Sequence, residues 1–247
     1  MVVDRFPPVQ RADEHGLLAI GGDLDIETLL LAYQSGIFPW PISDEYPLAW
    51  FSPNPRGILN VSDLHIPKSL LKSLKKSKLK ITFNQNFDFI IEACKKAKNR
   101  KGQSGTWITE DLLEAYRNFH GAGFTYSVEV RNQNKEIVGG LYGVSIDRFI
   151  GGESMYHSET DASKIALVGL MLYLKTQGIH WMDTQMVTPV VSALGGKEIK
   201  RSNYINLLKS SLGEKSEIIK GFSDVFKIST LENDELIDLF QNHSESV

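Results

Sequence analysis

The sequence lacks most of what would mark a secreted, membrane-bound or metal-dependent protein. Among 247 residues there is one cysteine, Cys94, so no intramolecular disulfide can form. Cys94 sits among apolar helix positions with only lysines near it, and reads as a small core residue. No apolar run is long enough to span a bilayer, and the N-terminus has no charged-then-apolar signal segment. The six histidines fall at no metal-ligand spacing, so no metal is expected. A net charge of only −3 argues against a chain that coats nucleic acid or membrane wholesale, and leaves room for a local basic patch. Gly21-Gly22 lacks the lysine and the preceding strand of a phosphate loop. Gly152-Glu153-Ser154 is not the elbow of a serine hydrolase, and no histidine is spaced to complete a triad. What remains is an ordinary globular composition, 42% hydrophobic and 23% charged, expected in the cytoplasm and as a monomer.

What is present is organised around residues 179–185. An apolar run leaves Gly178 and ends in Asp183 and Gln185. As a strand it turns both side chains to one face at its carboxyl end, where open α/β sheets hold ligands. Glu153 closes the preceding strand and can lie alongside, with the stretch from Ala162 to Gly178 as the helix between. A carboxylate can take a proton or hold a partner; an amide donates and accepts but is a very weak base. The pair therefore reads as one that orients something, such as an incoming amine.

Asp25, Asn86 and Thr109 are placed as N-caps of helices over 26–34, 87–98 and 110–120, and Lys68 to Lys78 is helical. Strands are expected over 79–83, 124–131, 137–146 and 149–154, with a hairpin turn at 132–135. A further strand is expected around Phe226, before a short amphipathic helix. A boundary near residue 62 divides a small N-terminal domain, 1–62, from a larger domain, 63–247. Consecutive antiparallel strands, a helix and a further strand is the order of the N-acetyltransferase-like α+β fold. Coenzyme A is not expected: where its pyrophosphate loop belongs, Tyr156 to Lys164 has no such glycines and carries two acids. The stretch 68–101 is rich in lysine, either as solvated helix faces or as a phosphate-contacting patch.

Several motifs then fall into one series. Phe6-Pro7-Pro8, Gly21-Gly22-Asp23-Leu24, Gly36-Ile37-Phe38-Pro39-Trp40, Ser52-Pro53-Asn54-Pro55-Arg56, Gly105-Thr106-Trp107-Ile108, Gly152-Glu153-Ser154-Met155 and Asp183-Thr184-Gln185 run in order. Together they closely resemble the leucyl/phenylalanyl-tRNA–protein transferase family. The resemblance implies a small N-terminal domain followed by an N-acetyltransferase-like domain, and no cofactor, because the tRNA ester is already activated. It implies transfer of leucine or phenylalanine, methionine less well, to an N-terminal arginine or lysine, marking the product for the bacterial N-degron pathway. The implied partners are leucyl-tRNA and phenylalanyl-tRNA, held by the acceptor end, and proteins that begin with Arg or Lys.

By resemblance, Asp183 and Gln185 form the catalytic pair, with Asp183 bonded to Gln185 or to the acceptor amine, and Glu153 lines the acceptor side. Leu141, Ile150, Leu167, Leu170 and Met182 match the aminoacyl pocket, and Trp50 and Trp107 are expected to stack near the terminal adenosine. Lys68, Lys72, Lys75, Lys76, Arg100 and Lys101 are expected on the tRNA backbone. The chain departs from the family at Tyr126 and Val190, where histidines are usual. Ile150 and Leu170 replace larger aromatics, so a roomier pocket is expected.

Overall fold

The computed structural model describes residues 3–42, 48–97, 107–213 and 221–246, and divides them between two sheets. The N-terminal part holds β1 (Leu17–Ile20), α1 (Ile26–Gln34), β2 (Phe38–Pro39) and β3 (Ala49–Phe51), the strands pairing in the order β1-β3-β2. These strands are two to four residues long, too short to show an alternating pattern in the sequence. Asp25 does not cap α1 with its side chain; Asp23 instead takes the Thr28 hydroxyl at 2.6 Å.

The remaining elements form an α+β unit on one eight-stranded sheet. In chain order they are β4 (Arg56–Asn60), α2 (Lys68–Ser77), β5 (Lys80–Phe83), α3 (Phe87–Lys96), α4 (Glu110–Gly121), β6 (Thr125–Arg131), β7 (Ile137–Ile146) and β8 (Phe149–His157). Then come α5 (Ala162–Thr176), β9 (Trp181–Gln185), α6 (Pro189–Ala193), β10 (Lys197–Ile199), α7 (Arg201–Ser211), α8 (Phe222–Val225), β11 (Thr230–Leu231) and α9 (Asn233–Ser246). The strand order is β10-β4-β9-β8-β7-β6-β5-β11. Thus β4, on the N-terminal side of the boundary expected near residue 62, pairs within the large sheet.

Local chemistry explains most of these elements. Asn86 accepts from Phe89 N at 3.3 Å and Thr109 from Leu112 N at 3.2 Å, capping α3 and α4 as their sequences predict. Asn132 Oδ1 closes the hairpin by accepting from Asn134 N and Glu136 N. Helix α5 is apolar nearly all round and accordingly buried nearly all round, packed between β6, β7, α2 and α9. The order β6-β7-β8-α5-β9 is the one expected of an N-acetyltransferase-like domain, and its helical crossover makes β9 parallel to β8.

The C-terminal part differs from expectation. Phe226 follows a helical turn, α8, and enters a ring cluster with Phe83, Tyr126 and Tyr173 at centroid distances of 5.2, 5.0 and 5.9 Å. The strand comes later, as β11 against β5. Helix α9 then packs on α2 and bonds at its carboxyl end and to the segment that precedes it. Asn233 Nδ2 donates to Leu79 O at 2.8 Å and Leu74 O at 3.4 Å, and His243 Nε2 donates to Leu64 O at 3.0 Å.

Candidate active site

Strands β8 and β9 share a single parallel pairing, Gly151 with Asp183, and part beyond it. Each carries a bulge at that level. Tyr142 faces Ser154 and Gly143 faces Gly152, which leaves Glu153 as the extra residue of β8. Ile58 faces Asp183 and Gly57 faces Gln185, which leaves Thr184 extra on β9. Bulges re-aim side chains beside active sites, and here they bring Glu153 and Gln185 across the gap: Gln185 Nε2 donates to Glu153 Oε1 at 2.8 Å.

The backbone at Gln185 is left-handed, with φ of 60°, and Met186 N reaches Thr184 O at 2.6 Å to form a three-residue turn. For a residue other than glycine this conformation costs about 1–3 kcal/mol and persists only where its surroundings fix it. Two features fix it here. Asp183 Oδ1 accepts from Gln185 N at 2.8 Å. Gly57 lets β4 pass against the turn, since a β-carbon there would stand 2.7 Å from the Met186 carbonyl carbon.

Asp183 is held from the other side by Arg56, each only 1% exposed. Arg56 Nε donates to Oδ1 at 2.9 Å and Nη2 to Oδ2 at 2.6 Å, while Tyr204 Oη donates to Oδ2 at 2.9 Å. The guanidinium lies between the Phe38 and Tyr204 rings, 4.8 and 4.4 Å from their centroids, and Nη1 donates to Gly36 O. Burial pulls the guanidinium down, but the charge and hydrogen bonds of Asp183, with Tyr204 and Glu153 nearby, together hold it above its usual value. The expected bond between Asp183 and Gln185 therefore exists only through the Gln185 backbone.

Glu153 accepts from Tyr33 Oη at 2.9 Å and Tyr116 Oη at 3.2 Å besides Gln185, and the two tyrosine hydroxyls touch each other. Burial pushes its carboxyl up to about 7, against the opposing hydrogen bonds from Gln185, Tyr33 and Tyr116. Burial, with the Glu153 charge next, raises both tyrosines, so they remain donors. Ionised, Glu153 only accepts, so the Gln185 nitrogen faces it and the amide oxygen points away. Among the described residues nothing donates to that oxygen, and Glu153 Oε2 accepts only from Tyr116.

Leu141, Ile150, Leu167, Leu170 and Met182 lie in one buried apolar cluster. It reaches the site through Met182, whose ε-methyl stands 2.2 Å from where a β-carbon of Gly152 would be. Trp50 does not serve as expected. It is 1% exposed, its Nε1 donates to Gly21 O and the Phe6 ring packs against it at 4.8 Å, so no face is open to a base. The half-buried aromatic pair is Trp107 stacked on Trp40, with centroids 4.9 Å apart and planes at 13°. Trp40 also packs edge-on against Phe38, the ring beside Arg56. Lys68, Lys72, Lys75 and Lys76 are exposed on α2, whose Leu70 and Leu74 face the core. Arg100 and Lys101 lie outside the described residues.

Sequence reasoning missed Arg56, Tyr204, Tyr33 and Tyr116 as members of the site. A signal existed for the first: an arginine heading the apolar strand Arg56–Asn60 needs a buried carboxylate partner.

Comparison with known proteins identifies the family. The leucyl/phenylalanyl-tRNA protein transferase family model matches residues 58–209, and the model of that transferase's N-terminal domain matches residues 22–54. The leucyl/phenylalanyl-tRNA–protein transferase of Flavobacterium johnsoniae is 46% identical over 205 residues, 83% of this chain and 95% of that protein. The protein of the same name from Shewanella halifaxensis is 44% identical over 82% of this chain and 85% of its own. That from Maridesulfovibrio salexigens is 42% identical over 84% and 85%.

Proposed function

The chain belongs to the leucyl/phenylalanyl-tRNA–protein transferase family and is an aminoacyltransferase, and we propose that it moves leucine or phenylalanine, methionine less well, to an N-terminal arginine or lysine. The modified protein then carries a bulky apolar first residue, a degradation signal of the N-degron pathway, and the reaction runs in the cytoplasm. The observation that carries this reading is the Gln185 amide, pinned through its nitrogen to Glu153 with its oxygen free at the mouth of a splayed strand pair.

The α-amino group of an acceptor has a reference pKa of about 7.7–8.0, so a useful fraction is neutral near pH 7. Gln185 Oε1 accepts from this amine and aims its lone pair. Glu153, with an acceptor position left on Oε2, holds the positive charge of the acceptor's end. Nitrogen bonds to the ester carbon, the bond to the ribose oxygen breaks, and the proton lost by nitrogen ends on that oxygen. Gln185 is too weak a base to keep the proton; its contribution is orientation. The apolar cluster around Met182 and Leu170 takes the donor side chain and separates residues by only ~1–3 kcal/mol per methylene, which accounts for leakage to methionine. Trp40 and Trp107 offer the terminal adenosine flat faces, and the α2 lysines meet the acceptor stem through phosphates.

The test mixes the purified protein with labelled leucyl-tRNA or phenylalanyl-tRNA and proteins beginning with Arg, Lys or Ala, without ATP or added metal. Label is expected on the Arg and Lys proteins and not on Ala, and is lost in Asp183→Ala. Binding of tRNA without transfer to any acceptor would leave an RNA-binding protein and end the catalytic reading.

A further inference from the structure

The carboxylate of Asp183 offers about four lone-pair positions, and the structure fills them. Oδ1 accepts from Arg56 Nε and Gln185 N, and Oδ2 from Arg56 Nη2 and Tyr204 Oη. Beside a bidentate guanidinium and at 1% exposure, this carboxylate has no position left for a proton or for the amine of a second substrate. It can act only through what it holds, and what it holds is the backbone of Gln185. Arg56 is itself over-determined by the two flanking rings and by Gly36 O.

We propose that Arg56 is a positioning residue for aminoacyl transfer: through Asp183 it fixes the left-handed turn that aims the Gln185 amide at the acceptor nitrogen. The proposal rests on the transfer reading above. It assigns Asp183 to geometry, and leaves Glu153 as the anion of the site with an open acceptor position. Arg56 touches neither substrate; its effect is relayed over two contacts, Arg56 to Asp183 and Asp183 to Gln185 N.

Steady-state kinetics of Arg56→Lys tests this. Lysine keeps the charge but cannot bridge both carboxylate oxygens. A misplacement of about 1 Å at reacting groups costs on the order of 10²-fold, so kcat is expected to fall about 10²-fold while KM for aminoacyl-tRNA stays within about twofold. In Arg56→Ala, added guanidinium is expected to restore kcat saturably, and to do nothing for Asp183→Ala. An ion pair that serves only the fold would lower Tm and leave the kcat of the folded protein unmoved; that result, or absence of guanidinium rescue in a folded Arg56→Ala, overturns the proposal. If neither Arg56 variant folds, Tyr204→Phe decides. It removes one of the donors to Asp183 and keeps the ring: a kcat loss of about tenfold at unchanged KM supports the relay, and an unchanged kcat sinks it. A wild-type protein without transfer would instead remove the reading on which the relay rests, and is told apart by that control alone.

Discussion

At the scale of residues, Glu153 carries the pH dependence of the site. Its hydrogen-bond partners are two phenols and an amide, none of them a cation, and burial places its carboxyl at about 7 instead of the ordinary 4.5. Only the ionised form attracts a cationic acceptor, so kcat/KM should climb as pH rises through about 7, and Glu153→Gln should remove that step along with most of the activity, leaving only the limb set by the acceptor amine at about 7.7–8.0. Stability runs the opposite way. Between about 7 and 4.5 the folded protein binds a proton that the unfolded chain has not yet taken up, so wild-type stability gains as pH falls across that window. The span corresponds to an amount on the order of 3 kcal/mol; urea midpoints at a series of pH values should show the slope in wild type and its loss in Glu153→Gln. Gln185→Asn shortens the amide by one methylene, so it no longer reaches Glu153 from the left-handed turn. Transfer should drop on the order of 10²-fold while tRNA retention on a filter is unchanged.

Among the elements, α2 is the one whose reading changed with its surroundings. Its lysines taken alone favoured a solvated face, but β5, which follows it, begins beside the end of β6, and the end of β8 lies at the same end of the sheet. Three strand spacings, roughly 14 Å, separate them, and on the proposed function the last turn of α2 is where an acceptor stem would pass. Lys72→Ala with Lys76→Ala is expected to raise KM for aminoacyl-tRNA and leave kcat alone; a minimal donor, aminoacyl-adenosine without a stem, should not distinguish the double variant from wild type. Elements like α2 were legible because caps, periodicity and turn residues act over a few positions. Asn86, Thr109 and the Asn132 turn behave as such local signals require. The small N-terminal sheet and β11 were not: two or three residues, as in β2, β3 and β11, carry no pattern, and β1 adds only one more, so these strands depend on their partners. The site divides along the same line. Asp183 and Gln185 announce themselves as polar groups ending an apolar strand, and Glu153 as a carboxylate in the strand before it, though β8 runs on to His157. Arg56 lies 127 positions from Asp183, and Tyr33 lies 120 from Glu153, so nothing local pairs them. Trp50 misled because an aromatic in a motif looks alike whether it serves a core or a base.

The whole molecule joins its two parts at the chemistry. The N-terminal part supplies Tyr33 to Glu153 and the Gly36 carbonyl and Phe38 ring to Arg56, so the candidate site is braced from outside the large sheet. The chain as a whole is slightly acidic, at −3, and so affinity for tRNA must come from concentrated charge. If the four described α2 lysines each release a phosphate counterion, binding should weaken about 10²-fold between 50 and 200 mM salt, and a slope near zero in a filter assay would place the tRNA elsewhere. Helix α9 bears on this surface through time as well as space. Asn233 and His243 reach back 154 and 179 positions to Leu79 and Leu64, on either side of the lysine helix. During synthesis the N-terminal sheet and the central strands emerge first, and contacts of such separation close last. The strands that carry Asp183 and Glu153 are therefore made before α9, and the contacts that pack α9 beside the lysine helix form after them.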